Sequence, residues 1–176
     1  MIFFLKKIII LLAIISAVVL IINKKEEYIV IPQEAIRIRV IANSNNDEDI
    51  KVKEIVKDNL NIEINKLLID AKTINEARYI IEMNLSNIES IVLNVLKSLN
   101  YNKEFKINYG MNLFPEKEFK GIKYENGYYE SLVITLGEGK GNNYWCVLYP
   151  PLCLLDNSKK DVEYRFFVQE LIDKYL

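Results

Sequence analysis

Residues 35–68 read "AIRIRVIANSNNDEDIKVKEIVKDNLNIEINKLL", and a change of period inside them sets the fold class. Up to Ala42 the apolar residues Ile36, Ile38 and Val40 alternate with Arg37 and Arg39, the period of two expected of a strand with one buried face. That parity puts both arginines on a wet face, where they serve solubility at a sheet edge. From Asn43 the chain supplies capping residues and first-turn acids. Val52, Ile55, Val56, Asn59, Leu60, Glu63, Ile64 and Leu67 then recur at helical spacing. Asp47-x-Asp49 does not start a calcium loop, because the glycine at the sixth position and the glutamate at the twelfth are missing. A strand followed at once by an amphipathic helix needs a layer of helix on sheet.

Downstream, Thr73 and Glu76 form the S/T-x-x-E signature, in which each side chain reaches the other residue's backbone N–H. One long helix is expected after it, with Ala77, Ile80, Ile81, Leu85, Ile88, Ile91, Val92, Val95 and Leu99 as its core stripe. The period returns to two in "EFKINYG", ended by Gly110. A loop-rich connection punctuated by Pro115, Gly121 and Gly127 leads to the strands "YYESLVITLGE" and "NNYWCVLYPP". A closing helix over "DVEYRFFVQELIDKYL" presents Val162, Phe166, Phe167, Glu170, Leu171 and Tyr175 on one side.

Upstream, Lys6 and Lys7 precede an apolar run from Ile8 to Ile22 interrupted only by Ser16. Such a run suits the hydrophobic region of a signal peptide. Its helical length of about 22 Å falls short of a ~30 Å hydrocarbon core. No small-x-small cleavage pattern follows Ile22, so an uncleaved anchor contacting the membrane through residues 8–22 is the alternative. The expected organisation is a signal peptide or anchor over 1–25, a spacer over 26–34 and a single α+β domain over 35–176. In that domain two long consecutive helices and a C-terminal helix pack on a mostly antiparallel sheet of about four strands.

Composition narrows the chemistry. The chain has no histidine and a net charge of -1. Serine and cysteine nucleophiles usually borrow a histidine base, and zinc sites usually use imidazole or several thiolates. No catalytic, metal or cofactor site is expected, and a near-neutral body offers no face for a nucleic-acid backbone. A carboxylate-dependent hydrolase acting on the envelope is the enzymatic alternative, with Glu130, Glu138 and Asp156 as the acids available.

Gly137, Gly139 and Gly141 stand between two strands rather than before a helix, so a phosphate loop is not expected there. A hairpin turn uses glycine's positive φ. In the strand that follows, Tyr144, Cys146 and Leu148 alternate with Trp145, Val147 and Tyr149, so it should be central or covered on both sides until Pro150 and Pro151 stop it. Cys146 and Cys153 can bond only if the chain reverses at those prolines, since an extended run would part them by roughly 23 Å. An oxidising location favours the disulfide; two small buried hydrophobes are the alternative.

"IPQEAIRIRVIANSNNDED" together with "NGYYESLVITLGEGKGNNYWCVLYPPLC" resembles the stage II sporulation protein R family of endospore-forming Firmicutes, over roughly residues 31–155. Tyr144 stands where that family often has a second tryptophan, and Ser131 where it often has alanine. The resemblance implies a signalling protein without catalysis of its own. It would be exported from the forespore into the intermembrane space, to activate a membrane-embedded aspartic protease that cleaves the sigma-E precursor. Aromatic anchors dominate interfaces, so Tyr144, Trp145, Tyr149, Pro150 and Pro151 are the candidate partner-binding residues. Core packing competes for Trp145. A structural adaptor at the septum is a further reading.

Overall fold

The structure is a computed structural model that describes Lys6 and residues 29–119, 122–154 and 161–175. Apart from Lys6, the expected signal or anchor segment lies outside the described residues, as does Asp156. Among the described residues, no helix is long and apolar enough to cross a membrane.

The elements run β1 (Ile29–Val30), β2 (Ile36–Ile41), α1 (Asp47–Leu68), α2 (Ile74–Met83), α3 (Leu85–Ser98), β3 (Phe105–Phe114), β4 (Lys117–Phe119), β5 (Ile122–Tyr124), β6 (Gly127–Leu136), β7 (Asn143–Tyr149) and α4 (Asp161–Tyr175). The main sheet has the order β3-β6-β2-β7, with a second sheet β1-β5-β4. In the main sheet β3 and β7 run antiparallel to their neighbours, while β2 and β6 are parallel. This is the α+β architecture anticipated above.

The α1 start follows from its residues: the Asn46 side chain accepts from the Asp49 N–H at 2.7 Å. Val52, Val56, Leu60, Ile64 and Leu68 then bury one stripe against Ile36, Ile38 and Val40. Each such side chain contributes about 1.5–3 kcal/mol on leaving water. At α2 the Thr73 hydroxyl accepts from the Glu76 N–H at 3.2 Å. Glu76 reaches back one residue further than expected, to the Lys72 N–H at 2.9 Å. The single long helix expected from residue 73 is two. At Asn84 the backbone leaves helical geometry, and its side-chain amide donates to the Ile80 carbonyl at 2.8 Å, competing with the helical ladder.

Other expectations are corrected. Gly110 does not end β3; it continues to Phe114 through a glycine at φ 147°. The connection after it contains β4 and β5. Part of the stretch expected as a spacer forms β1, and Ile31 behind it is buried. The strands β6 and β7 are not a hairpin, because β2 lies between them and pairs with both. The residues joining β6 to β7 therefore cross the end of β2, a long-range pairing that local turn chemistry does not reveal. β7 is an edge strand with Leu148 in the main core on one face and Val147 in the second cluster on the other, so of the two arrangements expected for it, central or covered on both sides, it takes the second. In α4, Val168 is buried with Leu171 and Ile172 beside it, whereas Glu170 is exposed.

The largest correction concerns Arg37, which is 1% exposed instead of wet. The sheet has layers on both sides. Its even-numbered β2 residues meet α1–α3, while Ile31, Val147, Leu152 and Val168 make a separate cluster with Tyr124. Lys117 and Tyr124 of the second sheet lie over the rings and cations of the odd-numbered face.

Candidate functional site

The residues between β6 and β7 wrap the corner where β2 passes into α1. Gly137 and Gly139 take φ values of 55° and 65°, which glycine adopts without steric cost. At Gly141 the reason for glycine is space: a Cβ would collide with the Ser44 carbonyl. The backbone N–H groups here are already used. Glu138 donates to Asn43 Oδ1 at 3.0 Å, Lys140 to the Asn43 carbonyl at 3.0 Å, Gly141 to Ala42 at 2.9 Å and Asn142 to Asn45 Oδ1 at 2.7 Å. A phosphate cradle needs such groups free and convergent. Here they clasp the "ANSN" corner.

Behind that corner lies Asp49, 1% exposed. It accepts from Asn43 Nδ2, Ser44 Oγ and the Tyr101 hydroxyl, each at 2.6 Å, and from Lys103 Nζ at 3.1 Å. Burial pushes its carboxyl up, but the bonds from Ser44, Tyr101, Asn43 and Lys103 outweigh that and hold it well below the usual carboxylate range. Burial and the bond to Asp49 raise Tyr101 in turn. The acid seen in sequence as a first-turn residue is thus the hub that fixes this corner.

Along β7 the candidate contact residues separate. Tyr144 faces α1, where Asn61 donates to its hydroxyl at 3.1 Å and Lys57 lies 5.3 Å from its ring. Tyr149 is 1% exposed, edge-on to Tyr175 at 5.5 Å. Pro150 is buried and follows a cis peptide bond, while Pro151 and Trp145 are half-buried. Tyr149 and Pro150 are therefore packing residues. Cys146 and Cys153 are joined by a disulfide with their Cα atoms 5.7 Å apart, across the reversal at the prolines.

Trp145 belongs to a row of rings and cations on the odd-numbered face. Its ring centroid is 5.2 Å from that of Phe114, with Lys117 Nζ 5.0 Å and Arg39 Cζ 5.6 Å away. Arg37 Cζ stacks 3.5 Å from the Tyr129 ring, and Tyr124 lies 5.7 Å off. Such contacts are worth about 2 kcal/mol when desolvated. They do not replace hydrogen bonds: Nε, Nη1 and Nη2 of Arg37 have no partner, nor has Nε of Arg39. Burial lowers both guanidinium pKa values. Sequence reading missed this row. The signal was present as equal parity, because Arg37 aligns with Ser131 and Val147, and Arg39 with Val133 and Trp145.

Of the carboxylates of the hydrolase alternative, Asp156 lies outside the described residues, and Glu130 and Glu138 do not converge. Glu130 is held by Arg78 Nε at 2.8 Å, Arg78 Nη2 at 2.7 Å and the Tyr109 hydroxyl at 2.6 Å. Burial raises its pKa, but these bonds and the Arg78 charge carry it below normal. A general acid needs the opposite shift. Glu138 is exposed and paired with Lys140 at 2.6 Å, which also lowers its pKa. About 20 Å of extended strand separates Glu130 from the loop of Glu138, beyond the spacing of paired glycosidase carboxylates. Among the described residues there is no group of His, Cys, Asp and Glu that could hold a metal.

The profile of the Stage II sporulation protein R family matches residues 32–159. A curated relative, Stage II sporulation protein R of Bacillus subtilis (strain 168), is 40% identical over 130 residues, covering 74% of this chain and 58% of the relative. The chain thus spans little more than half the length of that relative. No solved structure matches.

Proposed function

The chain belongs to the stage II sporulation protein R family and so has a role in sporulation; on that premise we propose that it is an exported signal acting by contact, without chemistry of its own. Its target is a membrane-embedded aspartic protease, which on activation cleaves the sigma-E precursor. The observation that carries the contact reading is the state of Glu130: an acid locked between Arg78 and Tyr109 is a structural tie. The apolar run from Ile8 to Ile22 supports export of the body across the forespore membrane, with the run either removed or retained as an anchor.

The contact surface follows from exposure. Of the aromatic and proline residues of β7 and its end, Trp145, Tyr144 and Pro151 keep some accessible surface, and the exposed loop residues Lys140 and Asn142 lie close by in sequence. We place the receptor contact there. Co-expression of the full chain with the protease and its substrate in a heterologous host tests this. Cleavage should persist in Glu138→Gln and Asp156→Asn, and fall in Lys140→Glu or Asn142→Arg at unchanged melting temperature. Loss of cleavage in the carboxamide variants with the fold intact would favour the hydrolase.

A further inference from the structure

The guanidinium of Arg37 is almost wholly buried, and none of its three nitrogens has a hydrogen-bond partner. Arginine does not escape this by losing its proton, since its pKa is too high, so the charge stays. The groups facing it are Tyr129, through its ring and its hydroxyl, and the ring of Tyr124, with no described carboxylate. Nearby on the same face are Arg39, with Nε also unpaired, and Lys117, whose ammonium lies over Trp145. Three described acids elsewhere are committed: Asp49 to Lys103, Glu54 to Lys53 and Lys57, Glu130 to Arg78. Among the described residues the charge of Arg37 has no counter-charge, and an uncompensated buried charge costs several kcal/mol.

We propose that this row is a carboxylate-binding site, with Arg37 at its floor and Arg39, Lys117 and Trp145 at its mouth. Geometry selects the ligand class. Tyr129 covers a face of the guanidinium at 3.5 Å, so hydrogen bonds can be made only in its plane. A planar carboxylate can pair in that plane through two parallel N–H···O bonds. Arg39 and Trp145 are half-buried and Lys117 is exposed, so the row opens to solvent at that end. The carboxylate is carried either by a small organic acid or by an acidic side chain of a partner protein. The site does not depend on the proposed receptor.

Trp145 is the chain's sole tryptophan, so its fluorescence reports the mouth directly. The full chain is titrated with sodium succinate and, separately, with acetylated triglutamate amide, against sodium chloride at equal ionic strength. A saturable change is expected in at least one arm. A response to succinate identifies small acids as sufficient, and a response to the peptide alone identifies a partner's side chain. Arg37→Met should weaken binding at least about tenfold, since a charge-assisted hydrogen bond contributes about 1.5–3 kcal/mol. Should that variant not fold, Arg39→Met and the exposed Lys117→Met are read in its place, each expected to weaken binding about threefold or more. No saturable response in either arm, or affinity unchanged in all the folded variants, overturns the proposal.

Discussion

Replacing Asp49 with asparagine changes almost no volume and removes one buried charge. In the native protein that carboxylate receives bonds from Asn43, Ser44, Tyr101 and Lys103. Asparagine offers one acceptor oxygen and turns an NH2 toward donors that cannot accept, so at least one of those donors is left unpaired. An unpaired buried donor costs about 1–3 kcal/mol, and breaking a buried ion pair by removing one partner about 3–5 kcal/mol. Lys103 is 45% exposed at its side chain and regains water, which places the expected loss near 3 kcal/mol. The same substitution should alter the response to acid. Because the folded-state pKa is depressed, the carboxylate's stabilisation is fully present above the unfolded value of about 3.9 and is lost as pH falls toward the folded value. Urea unfolding followed by Trp145 fluorescence at pH 7, 5, 4 and 3 should show a gap between wild type and Asp49→Asn that is constant from pH 7 to about 5 and narrows below. A gap under about 0.5 kcal/mol at pH 7, or one that does not narrow in acid, would refute the role given to Asp49.

Gly141→Ala should destabilise by about 2 kcal/mol or more, because its Cβ meets the Ser44 carbonyl, which the corner holds in place; Lys140→Ala next to it should be nearly neutral by thermal melting. Reducing the Cys146–Cys153 bond, or replacing both residues with serine, should cost about 2.5 kcal/mol from the chain entropy of an eight-residue ring, read as a lower melting temperature. In a double-mutant cycle, Arg78→Met with Glu130→Gln should give a coupling energy of about 1–2 kcal/mol, since the pair is bidentate but Arg78 is 37% exposed.

The elements legible in sequence are those whose signals are local. That β2 is a strand, the Asn46 and Thr73 caps and the stripe of α1 each depend on residues within a few positions, and each formed as expected. What failed depends on distant partners. Nothing between Leu136 and Asn143 tells that β2 will lie between the strands they end, because that order is set by pairing across about a hundred residues. Arg37 looked wet because its parity is opposite to that of Ile36 and Ile38. The layer over it includes Tyr124 of the short β5 strand, which lies in a connection where Pro115 and the glycines blur the periodicity. The β7 aromatics were visible as a cluster, but exposure divides them: Tyr149 and Pro150 go to the core and Trp145 to a half-open face.

The central claim, activation by contact, is tested most directly by mixing the purified chain with the membrane protease in nanodiscs and following both association and substrate cleavage. The account predicts saturable binding, with cleavage rising in step with occupancy and abolished by removing the protease's own catalytic aspartates. Cleavage without detectable association, or cleavage that continues when those aspartates are gone, would contradict it.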